Sequence, residues 1–144
     1  MIHYIVANDI ENLRNSIQGF LQTRIEKEFE IAQGTTCAHV DEVLKKIREA
    51  GSDLHLIVLD MDFYGNILGG GLKILKALTL QQRRKVVVLS EYLDKKLPNG
   101  QLLGNEIVNV YKISPNRVLS SVHGPERLWK ACASVLSEKD SDQL

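Results

Sequence analysis

The chain contains 144 residues, of which 44% are hydrophobic and 25% are charged, a composition typical of one soluble globular domain. Its 18 basic and 18 acidic residues cancel, which excludes an overall field that would attract nucleic acid or an anionic membrane. The two cysteines, Cys37 and Cys132, have neither the spacing of zinc ligands nor the density of a disulfide scaffold.

The amino-terminal segment and the apolar runs indicate where the protein resides. The first residues, MIHYIVANDIENL, lack a basic flank and soon reach acidic residues, unlike a secretory signal peptide. No apolar run approaches the roughly 20 residues of a membrane-spanning helix. We therefore expect a cytoplasmic protein that has no membrane partner and keeps its cysteines reduced.

Strand and helix patterns alternate in the first part of the chain. A short β-branched and aromatic run at 2–6 predicts a strand, and apolar residues at helical spacing within 9–28 predict the helix that follows. The segment FEIAQ, 29–33, predicts a second strand. Apolar residues within 35–51 predict a second helix, with Thr36 as its N-cap and a glycine at its end.

The second part of the chain continues this alternation. The segment LHLIVLD, 54–60, is so uniformly apolar that it predicts a central parallel strand covered on both faces. A helix is predicted over 71–80, and another buried strand over 85–90. Residues 108–113 predict a fifth strand, and 124–137 predict a closing helix with a proline in its first turn.

One domain accounts for most of the sequence. Residues 1–137 hold all the predicted strands and helices, whereas 138–144, EKDSDQL, are expected to form a polar tail or the stub of a linker. Residues 91–107 are ambiguous, because a Pro-Asn-Gly triplet interrupts a weak helical pattern. Five β–α units of this kind predict an α/β fold, with an open parallel sheet and helices on both of its faces.

Polar side chains follow four of the five predicted strands. Asn8 and Asp9 come after the first strand, Asp60 ends the third, Ser90 ends the fourth and Lys112 stands at the end of the fifth. In open parallel sheets the ligand site lies beyond the carboxyl ends of the strands. We therefore expect these five side chains to converge on one edge of the sheet.

Four segments at this edge resemble the receiver domain of two-component response regulators: VANDIEN, LIVLDMD, VVVLS and VYKIS. The resemblance covers residues 1–137, and the intervals from Asp60 to Ser90 and from Ser90 to Lys112 are similar to those of compact receivers. It implies a flavodoxin-like receiver fold, in which a doubly wound, five-stranded parallel sheet has the strand order 2-1-3-4-5. The function that it implies is a phosphoryl-accepting switch, which is not an enzyme in its own right.

The resemblance also implies a role for each residue at the edge. Asp60 would accept the phosphoryl group from a histidine kinase or a phosphotransfer protein. Asp9, Asp60 and the main-chain carbonyl of Asp62 would hold Mg²⁺, a cation that prefers oxygen ligands. Asn8 stands where receivers carry a first acidic residue, so it would contribute only weakly, through a metal-bound water.

Ser90 and Lys112 complete the implied switch. The Ser90 hydroxyl and the Lys112 ammonium would sense the phosphoryl group and pair with its oxygens. The change would be read by a downstream protein effector, with a homodimer as one possible form and with no nucleic acid bound by this domain.

Two departures from the family pattern support a second hypothesis, a pseudo-receiver that docks without being phosphorylated. Asn8 replaces an acid, and Asn109 stands where receivers often carry an aromatic switch residue, while Tyr111 directly precedes Lys112. Retention of Asp9, Asp60, Ser90 and Lys112 together favours the phosphoryl-accepting hypothesis over this one.

A third hypothesis comes from another resemblance of the same segment. In LIVLDMD, Asp60 and Asp62 also resemble the DxD motif of haloacid-dehalogenase-type phosphatases. Those enzymes normally open with the DxD strand, whereas two β–α units precede it here, and they need a further acidic pair downstream. Asp140 and Asp142 lie in the predicted tail, where no strand end would present them. We therefore rank the phosphatase third.

Overall fold

A computed structural model describes residues 1–61, 63, 70–89, 109–111 and 117–141. Strands and helices alternate along the chain, and the strands form one parallel sheet with helices on both faces. Among the helices of these residues, none is both long and apolar enough to cross a membrane.

The strands pair in the order β2-β1-β3-β4-β5, and every neighbouring pair is parallel. Their bounds are β1, Ile2–Ala7; β2, Ala32–Cys37; β3, Leu54–Asp60; β4, Val86–Leu89; and β5, Asn109–Tyr111. The α/β class and the order 2-1-3-4 of the first four strands confirm the prediction. The predicted fifth strand is represented by the three residues of β5, and the rest of that prediction lies outside the described residues.

The helices cover the two faces of the sheet. Their bounds are α1, Glu11–Glu28; α2, Val40–Ala50; α3, Gly71–Ala77; α4, Leu80–Arg83; and α5, Gly124–Ser141. A 3₁₀ turn, Gly51–Asp53, joins α2 to β3. The closing helix therefore extends beyond its predicted end at residue 137, into the segment predicted to be a tail.

The prediction of a single helix over 71–80 is wrong, because one helix ends and another begins within this region. The α3 helix ends at Ala77, and Thr79 begins a new one through a capping box. The Thr79 hydroxyl oxygen accepts a hydrogen bond from the Gln82 N–H at 3.1 Å, and the Gln82 side-chain oxygen accepts one from the Thr79 N–H at 2.9 Å. These reciprocal bonds satisfy N–H groups that a new helix start leaves unpaired.

The second strand was predicted at the wrong place. Instead of 29–33, it occupies Ala32–Cys37, because α1 continues to Glu28 and Phe29 is its C-cap. Of the apolar residues that suggest a strand over 29–33, Phe29 and Ile31 lie in the connection, where Ile31 is 69% exposed, and Ala32 begins β2. Thr36 is consequently a strand residue, and His39 takes the N-cap position of α2 without a side-chain cap.

Gly34 allows the edge strand β2 to pack closely on β1. It is the register partner of Tyr4, and a Cβ at Gly34 would overlap the Tyr4 ring. The tyrosine ring therefore occupies the space above the glycine, which explains why a strand with few apolar residues can still be held tightly against the sheet.

Each face of the sheet buries its own core. The α2/α3 core includes Ile5, Ile57, Leu59 and Met61, and the α1/α5 core includes Tyr4, Val6, Val58 and Leu89. Residues of the two cores alternate along β1, β3 and β4, as side chains do on a strand buried from both sides. The closing helix packs in the α1/α5 core through Leu128, Trp129, Cys132, Val135 and Leu136. Both cysteines are buried and free.

Candidate functional site

The strand register places the ends of β1, β3 and β4 side by side. Ala7, the last residue of β1, is paired with Leu59, and Asp60, the last residue of β3, is paired with Leu89 at the end of β4. Leu89 in turn pairs with Tyr111 at the end of β5. The residues that follow these strands in the sequence therefore start from one edge, which we call the carboxyl edge.

Asp60 is buried at this edge, with 4% of its surface exposed. Its neighbours Leu59 and Met61 belong to the α2/α3 core, so strand alternation directs Asp60 to the face of α1 and α5. Met61 continues the ladder, since its N–H donates to the Leu89 carbonyl at 3.2 Å. A carboxylate held at the rigid end of a central strand is well placed for chemistry, and Asp60 has at least one polar or electrostatic partner already.

Gly71 brings the start of α3 close behind Asp60. Its N–H donates to the Met61 carbonyl at 3.1 Å, and a Cβ at this position would overlap the Met61 main chain and sulfur. Residue 71 must therefore be very small for the chain to return to β3 in this way. This contact fixes the main chain immediately after Asp60.

Asn8 is the other buried polar residue of the described chain, with 1% of its surface exposed. Its N–H donates to the Cys37 carbonyl at 3.1 Å, which extends the β1–β2 ladder by one residue. The Asn8 side-chain oxygen accepts the Ile10 N–H at 2.8 Å. Its side-chain nitrogen Nδ2 is buried and has no hydrogen-bond partner within the described residues.

Two carboxylates of the predicted metal site are described. Asp60 is buried and Asp9 is half-buried after β1, and both have at least one partner. Within the ranges described above, no three histidine, cysteine or acidic side chains are grouped to hold a metal ion. Carboxylate oxygens are the ligands that a hard cation prefers, and Asn8 adds no negative charge. The roles of Asp9 and Asp60 in metal binding stay predictions.

The other predicted site residues lie outside the described residues: Asp62, Ser90 and Lys112. In the sequence, Ser90 directly follows the last residue of β4 and Lys112 directly follows the last residue of β5. Their predicted roles in metal binding and phosphate sensing stay predictions.

Cys37 lies beside Asn8 at the end of β2, and its surroundings keep it inert. Burial, reinforced by the nearby Glu42 carboxylate, raises the pKa of the Cys37 thiol to about 12. The thiol is therefore protonated at neutral pH, and a protonated thiol is a poor nucleophile and a poor metal ligand.

A surface cavity of about 510 Å³ lies against α5. Its described lining residues are His123, Glu126, Arg127, Trp129, Lys130 and Ala133. Among the described residues, the predicted site residues Asn8, Asp9 and Asp60 do not line this cavity.

Comparison with known proteins informs the fold alone. No protein-family model matches the chain, and no curated protein matches it. A solved structure described as a trimeric coiled-coil segment of yeast Spc42 fused to another structure is similar, with a TM-score of 0.64 and 14% sequence identity. The match covers 98% of this chain and 82% of that chain. At this identity the likeness concerns the fold alone and carries no information about activity.

Proposed function

We propose that the protein is a phosphoryl-accepting receiver that takes a phosphoryl group on Asp60 from a histidine kinase or a phosphotransfer protein. The observation that carries this proposal is the buried Asp60 carboxylate at the end of β3, in register with the ends of β1 and β4. Parallel α/β sheets bind their ligands at this edge.

The proposed fold extends the observed one. Strands β1 to β5 and their connecting segments make a doubly wound, flavodoxin-like receiver sheet in the order 2-1-3-4-5. The pairing of Leu89 with Tyr111 supports this proposal, because it brings the end of β5 to the same edge as Asp60.

The transfer step uses Asp60 as the nucleophile. An oxygen of its carboxylate attacks the phosphorus, a new O–P bond forms, and the bond from phosphorus to the donor's leaving group breaks. The product is an acyl phosphate on Asp60. The carboxylate is a modest nucleophile, so orientation at the rigid end of β3 supplies much of the catalysis.

Asp9, Asp60 and the main-chain carbonyl of Asp62 are the groups that would hold Mg²⁺. When bound, this ion neutralises charge between the carboxylates and the anionic phosphoryl group. Asp9 follows Asn8 in the segment after β1, and β1 is the neighbour of the strand that ends in Asp60; this position supports the assignment.

The response to phosphorylation uses Ser90 and Lys112. These residues follow β4 and β5 in the sequence, and they would pair with the phosphoryl oxygens and shift the segments around them between two states. The changed surface would then be recognised by a downstream protein effector or by a second copy of the chain, in a cytoplasmic signalling pathway.

Asp60→Asn tests the proposal, because the amide has nearly the same shape and cannot form the acyl phosphate. With acetyl phosphate and millimolar Mg²⁺, we expect intact-mass spectrometry to show one labile phosphoryl group on the wild type and none on the variant. Asp41→Asn, which changes an exposed carboxylate in the first turn of α2, is the matched control and is expected to be labelled like the wild type.

Two other outcomes would favour the alternative hypotheses. If the folded wild type takes up neither a phosphoryl group nor beryllofluoride, the protein is a pseudo-receiver, and the neutral amide of Asn8 is the observation that favours this second candidate. Repeated turnover of a phosphomonoester would instead indicate a phosphatase.

A further inference from the structure

The Asn8 amide has an orientation that the hydrogen bonds determine. In a side-chain amide, only the oxygen can accept a hydrogen bond from an N–H group. The Asn8 atom that lies 2.8 Å from the Ile10 nitrogen is therefore the oxygen Oδ1. The other end of the amide is therefore the NH₂ group. The two possible orientations of the amide have similar shapes, and this hydrogen bond distinguishes between them.

The NH₂ group of Asn8 is an unsatisfied donor in a buried place. Asn8 is 1% exposed, and Nδ2 has no partner within the described part of the chain. Buried polar groups normally have a partner, and a missing one calls for an explanation such as a ligand. A donor of this kind is suited to an oxyanion and unsuited to coordinating a cation.

We propose that the Asn8 NH₂ group donates a hydrogen bond to an oxygen of the phosphoryl group carried by Asp60. This role rests on the proposed function and adds to it a phosphoryl-binding residue that directly follows β1. Asn8 follows Ala7, whose register partner is Leu59, so it stands beside Asp60 along the carboxyl edge. The neutral NH₂ group thus contacts the phosphoryl group directly. An acidic residue at position 8 could hold the same group only through a metal ion.

This role makes anion binding less dependent on Mg²⁺ than it would be with an acid at position 8. An aspartate there keeps an oxygen for the Ile10 N–H and places its second oxygen where Nδ2 now lies. That oxygen repels a phosphoryl group unless a cation lies between them. Asparagine therefore gives up metal affinity and gains direct contact with the anion.

Beryllofluoride, which mimics a phosphoryl group on a carboxylate, is the probe for the test. In ¹H–¹⁵N spectra of the wild type, we expect saturation with beryllofluoride to shift the side-chain NH₂ signals of Asn8 and to leave those of Asn15, an exposed residue of α1, in place. This readout needs no variant and is therefore independent of any folding defect.

Two variants distinguish the effect of the NH₂ donor from the effect of the hydrogen bond to Ile10 and from the effect of charge at position 8. Asn8→Ser can still accept the Ile10 N–H but lacks a donor at the Nδ2 position, and we expect it to weaken beryllofluoride binding about tenfold at fixed Mg²⁺. Asn15→Ser is the matched control. Asn8→Asp is expected to bind beryllofluoride more weakly than the wild type at low Mg²⁺ and to approach or exceed it as Mg²⁺ rises.

The outcomes distinguish this inference from the proposed function. A wild type that accepts beryllofluoride while the Asn8 NH₂ signals stay unmoved, or while Asn8→Ser binds equally well, overturns the inference and leaves the proposed function standing. A wild type that accepts neither beryllofluoride nor a phosphoryl group overturns both. Shifted Asn8 signals together with the crossing Mg²⁺ dependence of Asn8→Asp support both.

Discussion

At the scale of single residues, Asn8 is a neutral residue at the carboxyl edge, where a change to an acid would alter the charge. Replacing it with aspartate would add a carboxylate beside Asp9 and Asp60, and we expect Asn8→Asp to tighten Mg²⁺ binding by on the order of 1 to 3 kcal/mol at an effective dielectric of about 20. Calorimetric titration of the two proteins measures the difference directly.

The control for this prediction adds the same charge elsewhere. Gln33 is exposed near the amino-terminal end of β2, away from the carboxyl edge. Gln33→Glu is therefore expected to leave Mg²⁺ affinity nearly unchanged, because exposed charges are screened beyond about 10 Å. Equal Mg²⁺ affinity in the wild type and Asn8→Asp would mean that residue 8 lies outside the electrostatic surroundings of the ion.

Gly34 allows a second prediction at this scale. A Cβ there would overlap the Tyr4 ring, so we expect Gly34→Ala to lower the free energy of unfolding by about 1 to 3 kcal/mol, as overpacking does. Urea unfolding followed by circular dichroism measures this change.

Gly19 is the matched control for Gly34. It lies exposed within α1, and a Cβ there would meet no atom within 4 Å. Because alanine is the better helix former, we expect Gly19→Ala to raise the free energy of unfolding by about 0.5 to 1 kcal/mol. A similar loss of stability in both variants would mean that the contact with Tyr4 is not the cause.

At the scale of elements, Arg24 joins α1 to α5. Its guanidinium nitrogens lie 2.9 and 3.4 Å from the two carboxylate oxygens of Glu126, and its central carbon lies 5.3 Å from the centre of the Trp129 ring. Its hydrogen bond to Glu126 is the main cause that raises the pKa of Arg24. Arg24 thus forms an ion pair with Glu126 at the surface and a cation–π contact with Trp129 closer to the core.

Burial predicts which part of this contact stabilises the two helices. Glu126 is 70% exposed at its side chain whereas Trp129 is 5% exposed, so we expect Glu126→Gln to cost less than about 1 kcal/mol and Trp129→Ala to cost about 3 to 5 kcal/mol. Glu28→Gln, which removes the ion pair of Arg24 within α1, serves as the control for charge. A loss for Glu126→Gln as large as that for Trp129→Ala would contradict this assignment.

The elements also show what could be predicted from the sequence. Strands β3 and β4 were found because continuous apolar runs are needed where both faces are buried, and Asp60 was located because it ends such a run. Strand β2 was misplaced because an edge strand needs few apolar residues and because its fit depends on the contact of Gly34 with Tyr4, which no local pattern reveals. The orientation of the Asn8 amide depends on the Ile10 N–H and on burial, which are also features of the tertiary structure that no local pattern reveals.

At the scale of the whole molecule, each of the two cores holds a neutral acid that would be costly to ionise. Tyr4 lies in the α1/α5 core and Cys37 lies in the α2/α3 core. Burial is the main cause that raises the pKa of Tyr4 from 10.0 to about 12 and that of Cys37 from 9.0 to about 12. The Tyr4 hydroxyl also donates to the Gln22 side-chain oxygen at 2.6 Å, a bond that ionisation would abolish.

These shifts predict that the fold loses stability in alkali from both faces of the sheet. In the unfolded chain the two groups release their protons near their ordinary values of 9.0 and 10.0, whereas the folded chain retains them until about 12. Their contribution is therefore complete below pH 9 and is lost as the pH rises toward 12, with a slope of at most about 1.4 kcal/mol per pH unit for each group. Urea unfolding at a series of pH values measures this slope.

Tyr4→Phe is expected to cost about 1 kcal/mol at pH 7 through the lost hydrogen bond and to show a shallower alkaline decline, because phenylalanine has no proton to release. Cys37→Ala is expected to flatten the decline from a lower pH, since thiols ionise first. If both variants kept the slope of the wild type, ionisation of groups other than Tyr4 and Cys37 would govern the alkaline stability of the fold; burial also raises the pKa of Cys132, which lies in the α1/α5 core.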